Sequence, residues 1–89
     1  MSTEFKRLME RIVVNPEILS GKPIVKGTRV SVELVLDRLA AEPNLDIFFE
    51  DYPHLTIDDV RACLAYGSAV VGGEEIHFFH QRDDVLSAS

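Results

Sequence analysis

The sequence predicts a mostly α protein: a three-helix, helix-turn-helix-like core carrying a short N-terminal β arm. Three observations lead there. Apolar residues recur at helical spacing in three segments after residue 31, each preceded by a capping residue. A β-branched run, Ile12-Val13-Val14, stands ahead of them. Proline and glycine pairs punctuate the chain between these pieces.

In chain order, Phe5, Leu8, Met9 and Ile12 fall at i, i+3, i+4 and i+7, which allows a short amphipathic helix. The β-branched run directly after it argues more firmly for a strand, ended by Asn15-Pro16. Pro23-Ile24-Val25-Lys26 is expected to form a second extended piece, pairing with the first as a hairpin-like arm. Ser31 is a good N-cap, with Val32, Val35, Leu36 and Leu39 as an apolar stripe, so a first helix is predicted over 32–41. Asn44 is expected to cap a second helix, whose Leu45, Phe48, Phe49 and Tyr52 face a core before Pro53 closes it. The third has the strongest start: Thr56 as N-cap, Asp59 three residues on, and Leu55 with Val60 as a hydrophobic staple. Ile57, Val60, Leu64, Gly67 and Val71 line one side of it and Ala62, Ala65 and Ala69 another, the alanines suited to close approach by a helix or a second subunit. Gly72-Gly73 supplies the stop.

With 89 residues, 46% of them apolar and 27% charged, the chain has the size and composition of one folded domain. Its apolar runs fall far short of the ~20 residues that span a bilayer, and the start MSTEFKRLMER lacks a signal peptide's apolar stretch. No membrane association is expected, and a cytoplasmic location is. The lone Cys63, among apolar neighbours, reads as a small core residue. Residues 1–38 hold seven Lys/Arg against five Asp/Glu (net +2), and residues 39–89 hold two against ten (net −8). Phosphate backbones would therefore meet only the first part.

The stretch SGKPIVKGTR invites comparison with a phosphate-binding loop. It fails: five residues separate Gly21 from Gly27 where the motif needs four, Lys26 precedes the glycine, and Pro23 removes an amide. A structural role fits better, with the glycines taking positive φ, Pro23 setting direction and Thr28 bonding locally. Arg29 is expected to tie the arm to helix carbonyls or to Asp37, or else to meet a phosphate or partner. Lys22, Lys26 and Arg29 are the candidate phosphate contacts, with Lys6, Arg7 and Arg11 beside them. The predicted third helix is poorly suited to reading DNA, because its first turn carries Asp58 and Asp59 with only Arg61 to offset them.

His77 and His80 near Asp83 and Asp84 form no complete metal-ligand set, and no catalytic constellation is visible, so neither a metal, a cofactor nor an enzyme is expected. In the tail, Ile76, Phe78 and Phe79 followed by Arg82 are candidates for a partner-binding arm, or for packing on the protein's own core.

The runs RIVVNPEILSGKPIVKGTRVSVELVLDRLA and EDYPHLTIDDVRACLAY together resemble the bacterial and archaeal family known as domain of unknown function 433. Its pattern is carried here by Pro16, Gly21, Pro23, Gly27, Thr28, Arg29, Tyr52, Pro53, Leu55 and Thr56. The segment Ala41-Glu42-Pro43-Asn44 departs from the connection usual in the family. The resemblance implies an antitoxin-like helical domain with a β arm over 11–72, an N-terminal extension over 1–10 and a tail over 73–89. It also implies a homodimer that neutralises a PIN-like ribonuclease toxin from a neighbouring gene, with operator DNA as a further partner. The alternatives are a small helix-turn-helix DNA-binding regulator and a homodimeric adaptor without nucleic-acid binding.

Overall fold

A computed structural model describes residues 2–73. The order is α1 (Thr3–Met9), β1 (Ile12–Val14), a turn over Leu19–Gly21, β2 (Pro23–Val25), α2 (Val32–Ala41), α3 (Leu45–Asp51) and α4 (Ile57–Val71). The protein is mostly helical, with four helices among the described residues where three were predicted, and one two-stranded antiparallel sheet. The added helix is α1. Ser2 caps it by accepting from the Phe5 amide, and its Leu8 is buried against the core, so helix and strand follow one another.

Local signals place the other helix boundaries. The Ser31 side chain accepts from the Leu34 amide at 3.0 Å, and α2 starts one residue on. The Asn44 Oδ1 accepts from the Asp46 and Ile47 amides and opens α3. At α4 both halves of a capping box form: Thr56 Oγ1 accepts from the Asp59 amide at 3.2 Å, and Asp59 Oδ2 accepts from the Thr56 amide at 2.9 Å. Gly72 ends α4, and Gly73 turns the chain with φ +76°.

The hairpin pairs Ile12 with Val25, Val13 with Ile24 and Val14 with Pro23. Period-two alternation sends Ile12 and Val25 into the main core. Around them close Leu8 of α1, Val32 and Val35 of α2, Phe48 of α3, and Val60, Ala62 and Cys63 of α4. α4 is the central element, with α1 and α2 both packed on it. Its Val60, Ala62, Cys63 and Ala69 are buried, whereas Ile57, Leu64 and Val71 are exposed. The small side chains among the buried ones let neighbouring backbones come close. In α3, Phe48 makes an edge-on contact with Phe49 and a tilted one with Tyr52, centroids 5.5 and 5.0 Å apart. Arg38 of α2 bonds Asp51 and lies over the Tyr52 ring, joining α2 to the end of α3. Among the described residues no helix is long and apolar enough to cross a membrane.

Candidate functional site

The turn signature is a built piece of structure. Asn15 Oδ1 accepts from the Glu17 amide at 2.9 Å, turning the chain at Pro16. The backbone is left-handed at Leu19, Ser20 and Gly21, and again at Gly27 with φ +80°. Thr28 Oγ1 donates to the Val25 carbonyl at 2.8 Å and accepts from the Val30 amide at 2.9 Å. One hydroxyl thus satisfies two backbone groups where the arm bends toward α2. Ile24, on the hairpin face away from the main core, is almost fully buried and also bridges to Ser31. With Val13, Asn15, Ile18, Gly27, Thr28 and Arg29 it lines a hollow of about 470 Å³.

The three cations singled out from the sequence do not converge. Lys22 Nζ reaches Glu33 Oε1 of α2 at 2.9 Å. Lys26 uses its backbone amide to hold the Arg11 carbonyl at 2.7 Å, and its side chain is exposed. Arg29 is exposed beside the hollow and makes no ion pair among the described residues, with Asp37 or any other carboxylate. Arg11 turns the other way, onto the start of α4: its guanidinium lies 3.1 Å from Asp59 Oδ1 and 3.6 Å from Asp58. Arg61 joins the same cluster, 3.2 Å from Asp58 and 3.6 Å from Glu4 of α1. The acidic first turn of α4 is thereby neutralised by the chain itself. Sequence reading missed this arrangement because Arg11 and Asp59 are 48 residues apart.

Tyr52, Pro53, Leu55 and Thr56 form the α3–α4 connection, where Leu55 is buried and the Tyr52 ring makes its tilted contact with Phe48. Cys63 is fully buried, and burial, with the Asp59 carboxylate adding to it, pushes its thiol up to about 12. Such a thiol is a packing group with almost no thiolate at neutral pH. Burial likewise raises Tyr66 above its ordinary value. Among the described residues no group of three or more His, Cys, Asp or Glu is placed to hold a metal ion. Ile76, Phe78, Phe79 and Arg82, with His77 and His80, lie outside the described residues.

A groove of about 590 Å³ lies between α2 and α4. Val32, Leu36 and Ala40 line it from α2, and Gly67, Val70 and Val71 from α4. Val70 is 52% and Val71 89% exposed, a large apolar area at the end of a helix. Gly67 holds the two helices close: a methyl added there would stand 3.2 Å from Leu36 Cδ1. Glu33 and Asp37, one turn apart on α2, stand on its rim with Lys22.

A family model described as "Protein of unknown function (DUF433)" matches residues 12–67. The uncharacterized protein y4eO of Sinorhizobium fredii (strain NBRC 101917 / NGR234) is 35% identical over 60 residues, which are 67% of this chain and 27% of that relative. The chain thus matches about a quarter of the relative's length. No solved structure matches the chain.

Proposed function

We propose that this chain, which belongs to the DUF433 family, is a non-catalytic, antitoxin-like protein that binds and neutralises a toxin encoded by a neighbouring gene. The observation carrying this reading is the apolar groove between α2 and α4, whose Val70 and Val71 are left in water. Contiguous apolar surface of this kind marks interaction sites on small proteins. The charge of residues 39–89 supports it too, since an acidic surface suits a cationic protein partner better than a nucleic acid. A PIN-like ribonuclease is the toxin type the family resemblance suggests. Co-expression with the neighbouring reading frame tests the reading. Co-purification together with relief of growth arrest is expected, and failure of both would reject it.

A second reading takes α2, α3 and α4 as a helix-turn-helix-like core that binds operator DNA. The observation favouring it is that the exposed side chains of Lys6, Arg7, Lys26 and Arg29 pair with no carboxylate among the described residues. Those cations remain available to phosphates, whereas Arg11 and Lys22 are engaged. Binding carried by them weakens steeply with salt, and replacing Lys26 and Arg29 lowers the salt slope by about two. Absence of any shift of the promoter fragment at low salt removes this reading.

A further inference from the structure

Resting on the reading of this chain as a toxin-binding protein, we infer that the α2–α4 groove takes an amphipathic helix of the partner, with one Lys or Arg of that helix meeting Asp37. The volume, about 590 Å³, lies inside the range of roughly 300–1,000 Å³ typical of binding pockets. A groove walled by two helices with an apolar floor is the form that accepts a helix by its i, i+3, i+4 side chains.

The charges identify the occupant. Glu33 is answered by Lys22 at 2.9 Å. Asp37, one turn further along the same wall, is exposed and has no hydrogen bond or ion pair among the described residues. The α4 wall brings no cation, since Tyr66, Gly67, Val70 and Val71 form it. One uncompensated carboxylate therefore stands over an apolar floor, and it asks for a single cation beside apolar side chains. A second copy of this chain brings a net charge of −6 to that wall. The chain's own residues 74–89 bring Glu74, Glu75, Asp83 and Asp84 against Arg82 alone. On net charge, a cationic partner helix complements Asp37 better than either.

The test is affinity for the co-expressed neighbouring gene product, titrated against wild type, Asp37→Lys, the pair Val70→Glu with Val71→Glu, and Leu64→Glu. All four sites are exposed, so folding is retained, as circular dichroism checks. Asp37→Lys is expected to weaken binding by about tenfold and the valine pair by more, while Leu64→Glu stays within about twofold. Reversing one partner cation to Glu restores binding to Asp37→Lys alone. If wild type binds and the groove variants bind equally well, the groove assignment falls while the toxin-binding reading stands. If wild type does not bind, both fall. Two further results overturn it in favour of another occupant: a wild-type dimer that the valine pair turns into a monomer assigns the groove to a second copy. Tighter partner binding by Phe78→Glu with Phe79→Glu assigns it to the chain's own tail.

Discussion

Replacing Asp59 with Ala removes three interactions that meet at one side chain. Asp59 is 8% exposed and sits in the first turn of α4; its carboxylate accepts from the Thr56 amide at 2.9 Å and from Arg11 Nη1 at 3.1 Å. Loss of the capping bond costs about 1 kcal/mol. The charge-assisted bond to Arg11 contributes about 1 kcal/mol, reduced from the fully buried value because Arg11 is 43% exposed. Removal of the anion from the helix N-terminus adds about 0.5 kcal/mol. The expected loss is about 2.5 kcal/mol, or roughly 10–20 °C in Tm for a domain of this size. Asp59→Asn retains an acceptor for Thr56 and is expected to lose about half as much. Urea denaturation at neutral pH, with the slope m unchanged, measures each variant. A double-mutant cycle with Arg11→Ala is expected to return a coupling of about 1 kcal/mol. A loss under about 1 kcal/mol for Asp59→Ala, or no coupling to Arg11, would refute a stabilising tie between Arg11 and the start of α4.

Gly67→Ala gains helix propensity of about 1 kcal/mol, and Leu36, bordering an open groove, can move the few tenths of an ångström required; net stabilisation by thermal melting is expected. Gly27→Ala meets no atom within 4 Å but must hold φ near +80°, so a loss of about 1–2 kcal/mol is expected in urea, less for Gly27→Asn. The Cys63 thiol is expected to resist alkylation in the native protein and react on unfolding, as mass spectrometry reads directly. Its titration also carries a pH dependence. The folded value near 12 exceeds the ordinary 9.0, so the stabilisation is complete below pH 9 and is lost as pH rises toward 12. Over that window wild type is expected to lose up to about 1.4 kcal/mol per pH unit more than Cys63→Ala, and parallel pH profiles would contradict it.

The signature SGKPIVKGTR acquires a concrete role from these contacts. Gly27 and Thr28 form the bend between β2 and α2, and Ile24 lines the hollow behind the hairpin. Its cations part company: Lys22 goes to Glu33 beside the groove, while Arg29, at the hollow, makes no ion pair among the described residues. Reading the ten residues as a linear string could not separate these destinations. Lys22 and Arg29 are seven positions apart in sequence, yet the pockets they border share no lining residue.

Features legible along the chain were those whose energetics close within about four residues. Ser31, Asn44 and Thr56 satisfy orphan amides two or three positions ahead, and Gly72 and Pro53 stand where their helices have stopped. Helix limits at 32 and 41 and the capping box follow from such local bonding and from apolar periodicity, and the β-branched run marks the first strand. Three further features needed distant segments brought together. The Arg11–Asp59 pair spans 48 residues, and Leu8 becomes core only because α1 lies on α4. Which side of α4 is inward was undetermined by spacing, since alanines and bulky aliphatics both recur helically; packing against α1 and α2 buries Val60, Ala62, Cys63 and Ala69 and leaves Ile57, Leu64 and Val71 exposed. That choice leaves Val70 and Val71 uncovered at the groove, because a helix packed on one side presents its remaining side chains to whatever comes next.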